Sequence, residues 1–216
     1  QSLARTVPAV EHVFSVDLSG PVKGSWRETL WAGIVRRNIA FTCGDSERHL
    51  KKEAQAYWIG GQAGPFNSWA WLLERTRDEH LSWLYHHVRE FETLQEVLHE
   101  VEDIPRREPD DLGDAAFFPT VGTAVFRSGW REDDFVFMFR AGPFFNHQHM
   151  DQGTFSVADH GVVFIEERYD GEHHYYDDPL YQSHTIRTVS HNTVLIDRDP
   201  QSQITGDPFR FAPGMD

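Results

Sequence analysis

Two histidine motifs in the second half of the chain carry side chains that bind metals and transfer protons. The first is Asn146-His147-Gln148-His149-Met150-Asp151, and the second, 42 residues after His149, is His191-Asn192-Thr193. Histidine is the commonest metal ligand and general acid or base, and a nearby carboxylate can orient it. In a strand, His147, His149 and Asp151 would project from one face, because side chains alternate. This spacing predicts a metal-binding or catalytic site.

The composition is that of a globular chain without a basic surface. Of the 216 residues, 39% are hydrophobic and 13% aromatic, which is enough apolar material for the core of one or two domains. The formal net charge of -14 argues against a nucleic-acid or anionic-membrane partner, because such partners need a basic footprint. No run approaches the length of about 18 apolar residues that a membrane span needs.

The cellular compartment stays open. The single cysteine, Cys43, cannot form an internal disulfide, so cysteine usage gives no redox information. The amino terminus, Gln1-Ser2-Leu3-Ala4-Arg5, lacks the charged-then-apolar layout of a signal peptide, and a mature chain would have lost such a peptide in any case.

The residues before position 115 predict a helical layer. Four amphipathic helices are predicted, over residues 26–39, 46–58, 67–75 and 78–98. Ser25 and Glu28 are spaced as in a capping box at the start of the first helix. The stretch from Glu100 to Asp114 is charged and contains two prolines and a glycine, which is the composition of a surface linker.

Beyond position 115 the hydrophobic period falls toward two, and the residues become β-branched and aromatic. Five strands are predicted, over residues 122–126, 135–140, 154–157, 162–165 and 192–196. Turn signals rich in aspartate, glycine and proline separate them. The second half therefore predicts an antiparallel sheet that forms half of a sandwich.

Several of these segments resemble, in order and spacing, the signatures of heparinase II/III-type polysaccharide lyases. They are Phe118–Trp130, Ala141–Pro143, the His-x-His-x-Asp run and His191–Asp197, and they cover roughly positions 116 to 203. In addition, Gly44-Asp45-Ser46 is similar to a turn in the late helices of the family's α/α toroid.

This resemblance implies an α+β fold with two domains. Members of the family are much longer than this chain, so residues 1–115 would be the tail of an incomplete α/α toroid. Residues 116–216 would be the start of an antiparallel β-sandwich. The chain would then be a fragment of a longer enzyme, which the resemblance makes periplasmic or secreted.

The resemblance also implies a structural zinc ion (Zn2+) held by His149, His191 and an acidic residue at the end of the intervening strand. Glu167 occupies that acidic position, and Glu166 is the alternative, because strand alternation lets only one of the pair face the site. The family usually has aspartate there, so glutamate is a departure. Three such ligands and a water are enough for zinc. The alternative is that His191 is a core histidine bonded to backbone and the glutamates are solvated.

The catalytic residue implied by the resemblance is His147, at the substrate cleft. Lyases of this kind remove the C5 proton of a uronate and expel the 4-O-linked sugar, which needs a base, an acid and a group that stabilises enolate charge. Asn146 is a candidate for binding the sugar, although turn chemistry explains it equally well. Arg140 is a candidate for supplying local positive charge, with a solvated strand end as the alternative.

The expected function is therefore cleavage of a uronic-acid-containing polysaccharide by β-elimination. The expected partner is an anionic polysaccharide or oligosaccharide, with no nucleic-acid or membrane partner. Two alternatives stay open: a non-catalytic carbohydrate-binding or structural β-domain, and a metal-dependent glycan hydrolase whose product would lack the double bond. Dinucleotide-binding, P-loop and hydrolase-elbow motifs are absent from the sequence.

Overall fold

The computed structural model describes residues 10–18, 20, 25–31, 33–34, 39–40, 67–88, 101–119, 122–142, 149–165 and 178–195. These residues form two compact units, one ending at Leu112 and the other beginning at Gly113. Helices dominate the first unit and an antiparallel sheet the second, so the α+β class is confirmed. The predicted domains, 1–115 and 116–216, stay a prediction. Among the described helices, none is long and apolar enough to cross a membrane.

Besides a helical turn over residues 10–14, the first unit contains three described helices and one short ribbon. Its elements are α1 (Ser25–Trp31), β1 (Gly33–Ile34), β2 (Ile39–Ala40), α2 (Asn67–Thr76), α3 (Glu79–Val88) and a 3-10 turn (Pro109–Asp111). Helices α2 and α3 confirm the predicted helices that begin near 67 and 78. The predicted helix over 46–58, and positions 89–98 of the last one, lie outside the described residues.

Helix α1 is shorter than the sequence predicted. It ends at Trp31, and Gly33 and Ile34 pair instead with Ala40 and Ile39 as an antiparallel ribbon. Glycine costs about 1 kcal/mol in a helix, and β-branched residues favour strands, so the amphipathic pattern is overridden from Gly33 onward.

A buried carboxylate ties the start of the described chain to α2. Glu11, in a helical turn over residues 10–14, is only 4% exposed. Its carboxylate accepts hydrogen bonds from the indole of Trp71 at 3.0 Å, from Arg75 at 3.1 Å and from the backbone N–H of Leu18 at 2.7 Å. These three donors replace the water that the carboxylate loses on burial.

The charged stretch after α3 is not the solvated linker that its composition predicted. Val101 and Ile104 are each 2% exposed. The hydroxyl of Ser82 donates to the carbonyl of Ile104 at 3.1 Å, and the N–H of Arg107 donates to the carbonyl of Glu79 at 3.0 Å. The two buried apolar residues and the two hydrogen bonds therefore attach this charged stretch to α3.

The second unit is built on a five-stranded sheet in the simple order β3-β4-β5-β6-β7. Its strands are Ala115–Phe118, Thr123–Arg127, Val136–Arg140, Thr154–Asp159 and Val162–Ile165, and every neighbouring pair is antiparallel. Strands β4 to β7 confirm four of the predicted strands. Strand β3 was missed, because its sequence, Ala-Ala-Phe-Phe, contains no β-branched residue and follows directly on the linker-like stretch.

The fifth predicted strand, over 192–196, is wrong for the residues that the structure describes. Residues 192–195 form bends and irregular backbone, and Ile196 lies outside the described residues. Thr193 donates its hydroxyl to the carbonyl of Gln152 at 2.6 Å, and the Asn192 amide lies 3.5 Å from the carbonyl of Phe155. Side chains therefore attach this segment to the start of β6. The sequence pattern predicted a strand here, which would pair through backbone hydrogen bonds instead.

The two faces of the sheet differ in burial. Val125 and Met138 are paired across β4 and β5 and are almost fully buried on one face. On the other face, the ring of Phe137 lies 6.2 Å from that of Phe126 and 6.2 Å from that of Phe155. Phe126 is 50% exposed, so this open face keeps the apolar surface with which one sheet packs on another.

A buried arginine fixes the turn between β4 and β5. The guanidinium of Arg127 lies 4.3 Å from the ring centre of Trp130, and its Nε donates to the carbonyl of Gly129 at 3.0 Å. Burial lowers the pKa of Arg127 to about 10, opposed by the nearby Asp134 carboxylate, so the side chain stays charged at neutral pH. In the register of the two strands, Arg127 pairs with Val136 beside this turn, and Arg140 pairs with Thr123 at the far end of β5.

Gly122 offers a test of the β3–β4 turn. It has a φ of +69°, and a Cβ there would overlap the backbone carbonyl of Ala141. We expect Gly122→Ala to lower the free energy of unfolding by about 2 kcal/mol or more, from combined backbone strain and overlap. Urea unfolding of both forms measures this difference.

The matched control is Gly113→Ala, because a Cβ on Gly113 has no heavy atom within 4 Å. We expect its unfolding free energy to stay within about 0.5 kcal/mol of the unsubstituted protein. Equal stability of the two alanine variants would contradict the described turn.

Candidate functional site

Two of the predicted metal ligands meet in the second unit. His149 precedes β6 and is 1% exposed, and His191 directly follows a 3-10 turn over Thr188–Ser190. Their ring centroids lie 5.1 Å apart, with an angle of 43° between the ring planes. Residues far apart in the sequence are thus brought into side-chain contact.

The separation of these rings fits a shared metal ion. With Zn–N bonds of about 2.0–2.1 Å and a tetrahedral angle, the centroids of two coordinating imidazoles lie roughly 5 Å apart. The observed centroid distance between His149 and His191 is 5.1 Å. Two imidazoles of this kind are a donor set that zinc commonly takes.

The third ligand of the predicted set lies outside the described residues. Strand β7 ends at Ile165, so Glu166 and Glu167 follow it immediately in the chain. Within the described part of the chain, no group of three histidine, cysteine, aspartate or glutamate side chains is arranged to hold a metal. The structure brings His149 and His191 together, and the assignment of these two residues and of the acidic residue as metal ligands stays a prediction.

The predicted substrate residue Arg140 is buried and paired. Its Nη1 lies 3.4 Å from Oδ1 of Asp151, and the two side chains are 4% and 0% exposed. The alternative of a solvated strand end is therefore wrong. The guanidinium of Arg140 is paired with Asp151, so Arg140 supports the segment before β6 from inside the unit. Its role in substrate binding stays a prediction.

Two hydrogen bonds join the residues that flank the first histidine motif in the sequence. The N–H of Gly153 donates to the carbonyl of Arg140 at 2.8 Å, and the N–H of Gly142 donates to Oε1 of Gln152 at 2.7 Å. Asn146 and His147 lie between these anchored ends but outside the described residues. The chain is therefore fixed on both sides of the predicted catalytic residue.

A short helical segment that sequence reasoning did not single out also lies against His149. Tyr181–Thr185 forms a π-helical turn, a feature that is often found at functional sites. Tyr181 is 2% exposed, and its ring meets that of His149 edge-on at a centroid distance of 5.7 Å. The N–H of Met150 also donates to the carbonyl of Ile186 at 2.9 Å.

One sequence signal could have located this turn. Asp178 is followed by Pro179, which is a helix-start pattern, and its carboxylate accepts the N–H of Leu180 at 2.7 Å. The contact of Tyr181 with His149 has no such signal, since it joins residues from two distant segments.

The Arg140–Asp151 pair offers a stability test. Replacing only Arg140 by methionine leaves a buried carboxylate without its cation, and breaking buried pairs costs about 3–5 kcal/mol. We expect Arg140→Met to lower the unfolding free energy by about 3 kcal/mol. The double variant Arg140→Met/Asp151→Leu should recover at least half of this loss, because no charge stays buried. Urea denaturation of the four forms in a double-mutant cycle measures the coupling.

Arg131→Met is the matched control, because Arg131 is exposed at the β4–β5 turn. Its unfolding free energy should change by less than about 0.5 kcal/mol. Additive effects of the Arg140 and Asp151 substitutions would show that the two side chains are not energetically coupled.

Comparison with known proteins finds likeness in structure but not in sequence profile. No protein-family profile and no curated protein sequence matches this chain. Among solved structures, heparinase III superposes with a TM-score of 0.56 at 15% identity, over 84% of this chain and 27% of that protein. The heparinase III-BT4657 gene product superposes with a TM-score of 0.50 at 19% identity, over 78% of this chain and 22% of that protein.

The chain therefore spans about a quarter of the length of these two proteins, 27% of one and 22% of the other. At such low identity, the likeness shows a shared fold.

Proposed function

We propose that this chain is part of a polysaccharide lyase that cleaves a uronic-acid-containing polysaccharide by β-elimination. The observation that carries the proposal is the contact between His149 and His191, at a ring separation of 5.1 Å. The two residues come from the two motifs that resemble heparinase II/III-type lyases. The fold shared with part of heparinase III supports the same conclusion.

In this proposal His147 is the catalytic residue presented to the substrate. A base removes the C5 proton of the uronate, the C4–C5 double bond forms, the C4–O bond breaks, and the departing oxygen takes a proton. His147 either transfers one of these protons or stabilises the carboxylate as it gains enolate charge. Gly142 and Gln152, which flank His147 in the sequence, are joined by a hydrogen bond of 2.7 Å, and this supports the placement of the motif at one site.

The proposed zinc ion is held by His149, His191 and Glu167, with Glu166 as the alternative acidic ligand. Zinc bound there would supply a cross-link between segments that the sequence places far apart, and so would serve as a structural ion. The burial of His149 and the separation of the two rings support this assignment. By cross-linking the segment that follows His147, the ion would help to orient the backbone that carries His147.

Asn146 and Arg140 are the proposed substrate-binding residues. Arg140 already faces Asp151 at 3.4 Å inside the unit, so it would act mainly by holding the segment before β6. Asn146 is then the better placed of the two in sequence to donate a hydrogen bond to a sugar or carboxylate, because it adjoins His147. The proposed ligand is an anionic polysaccharide or oligosaccharide.

We also infer that the five-stranded sheet is one layer of a β-sandwich and that the helices belong to an α/α toroid. The open face with its phenylalanine row supports the first of these inferences, because sheets bury such faces against each other. The same exposed row favours the alternative of a carbohydrate-binding or structural β-domain, since sugars also pack on aromatic rings.

Catalysis is tested on the full-length protein that contains this chain. We expect heparan sulfate, alginate or a related uronate polymer to yield products with the ultraviolet absorbance of an unsaturated uronate. His147→Ala should lower kcat by about 100-fold or more, because a positioned proton-transfer group contributes that much. The control is His160→Asn, on an exposed turn with a φ of +48° that asparagine tolerates, and it should leave kcat unchanged.

A flat absorbance trace across the uronate panel would contradict the lyase. Glycan binding without any product would support the non-catalytic domain, and cleaved products without the double bond would support a metal-dependent hydrolase.

The zinc site is tested by metal analysis of the purified protein. We expect one zinc per chain in the unsubstituted form and loss of that zinc in His149→Ala and His191→Ala. Chelation should lower the thermal midpoint of the unsubstituted protein and leave those two variants nearly unaffected, because ligand binding stabilises only a protein that binds it. Glu167→Ala and Glu166→Ala, compared directly, identify the acidic ligand.

The matched control is His184→Ala, because His184 is exposed on the same segment as His191. It should retain the zinc. A metal-free unsubstituted protein, or unchanged zinc content in both ligand variants, would remove the site.

A further inference from the structure

We infer that Tyr181 is a positioning residue for the zinc site, whose ring fixes the orientation of the His149 imidazole and thereby sets the affinity for the ion. This inference rests on the proposed function, because it takes His149 and His191 as ligands. It adds a residue that the histidine motifs do not contain.

The contact between Tyr181 and His149 restricts rotation of the imidazole. The rings meet edge-on, with a centroid distance of 5.7 Å and an interplanar angle of 75°. Both residues are almost fully buried, at 2% and 1% exposure. Since interiors are closely packed, rotation of the His149 ring about its Cβ–Cγ bond would disturb this edge-on contact. An imidazole binds a metal only when a nitrogen lone pair points at the ion, so a fixed ring plane favours binding.

Tyr181 is itself held by the backbone of its π-helical turn. The N–H of Ile186 donates to the carbonyl of Tyr181 at 3.2 Å, and Arg187 donates through Nε to the carbonyl of Gln182 at 2.9 Å. The carbonyl of Ile186 accepts the N–H of Met150, the neighbour of His149, at 2.9 Å. The turn is therefore bonded directly to the segment whose side chain it orients.

The same segment also carries the second proposed ligand. The hydroxyl of Ser190 lies 2.6 Å from the carbonyl of His184 and 2.7 Å from that of Arg187, which caps the segment just before His191. The N–H of His191 donates to the carbonyl of Thr188 at 3.2 Å. Tyr181 and His191 thus belong to one internally bonded segment, and both of their rings contact His149.

The test compares variants that distinguish three contributions of Tyr181: its aromatic ring, its hydroxyl and its apolar volume. Tyr181→Phe keeps the ring, and Tyr181→Leu keeps apolar volume but loses the flat edge. Val125→Ala is the control for general destabilisation, because Val125 is fully buried on β4, and β4 pairs only with β3 and β5 among the described strands. Zinc affinity of the full chain is measured by competition with a chromophoric chelator. Cobalt(II) substitution supplies a visible spectrum that reports ligand geometry.

We expect Tyr181→Leu to weaken zinc binding by about 10–100-fold, the usual loss when a residue that orients a metal ligand is replaced. Tyr181→Phe and Val125→Ala should stay within about threefold of the unsubstituted protein, well below that range. The cobalt spectrum should change in Tyr181→Leu alone.

Unchanged affinity in Tyr181→Leu, with zinc lost in His149→Ala, would overturn the role of Tyr181 and leave the zinc site standing. An equal loss in Val125→Ala would reduce the effect to general stability and also overturn it. Absence of zinc from the unsubstituted protein would overturn the zinc site and this inference together.

Discussion

The proposed site depends on how one segment, residues 178–195, packs against the residues that precede and begin β6. His149 and Met150 meet this segment through the ring of Tyr181 and the carbonyl of Ile186, and Thr193 bonds the carbonyl of Gln152. Each contact is a single hydrogen bond or ring pair, worth about 0.5–1.5 kcal/mol. Together they hold two histidines at a separation that neither segment could set alone.

Charge burial next to these histidines bears on the proposed binding of an anionic polymer. With a formal net charge of -14, the chain needs local cations wherever such a polymer binds. Arg140 is close to the histidine motif in sequence, but its charge is matched inside the unit by Asp151. The pair therefore supports the segment before β6, and its burial leaves Arg140 less exposed to an anionic ligand.

Local patterns predicted most of the described elements, because helix and strand periodicities are properties of neighbouring residues. The sequence predicted α2, α3 and four strands of the sheet. It failed where a local rule was overridden, as at Gly33 after α1 and at Asn192 and Thr193, whose side chains bond β6 in place of a ladder. The burial of Val101 and Ile104 was not predicted either, since the charged residues around them give the stretch the composition of a linker.

The sequence by itself determined the chemistry that is available: two histidine motifs, their order along the chain and the α+β class. It assigned His149 and His191 to one site by resemblance, and it gave no signal that singles out Tyr181. Only the tertiary structure decided that the two imidazoles meet at 5.1 Å, that Tyr181 contacts one of them, and that Arg140 turns inward. The physical reason is that these contacts join segments far apart in sequence, whereas periodicity and spacing report only on neighbouring residues.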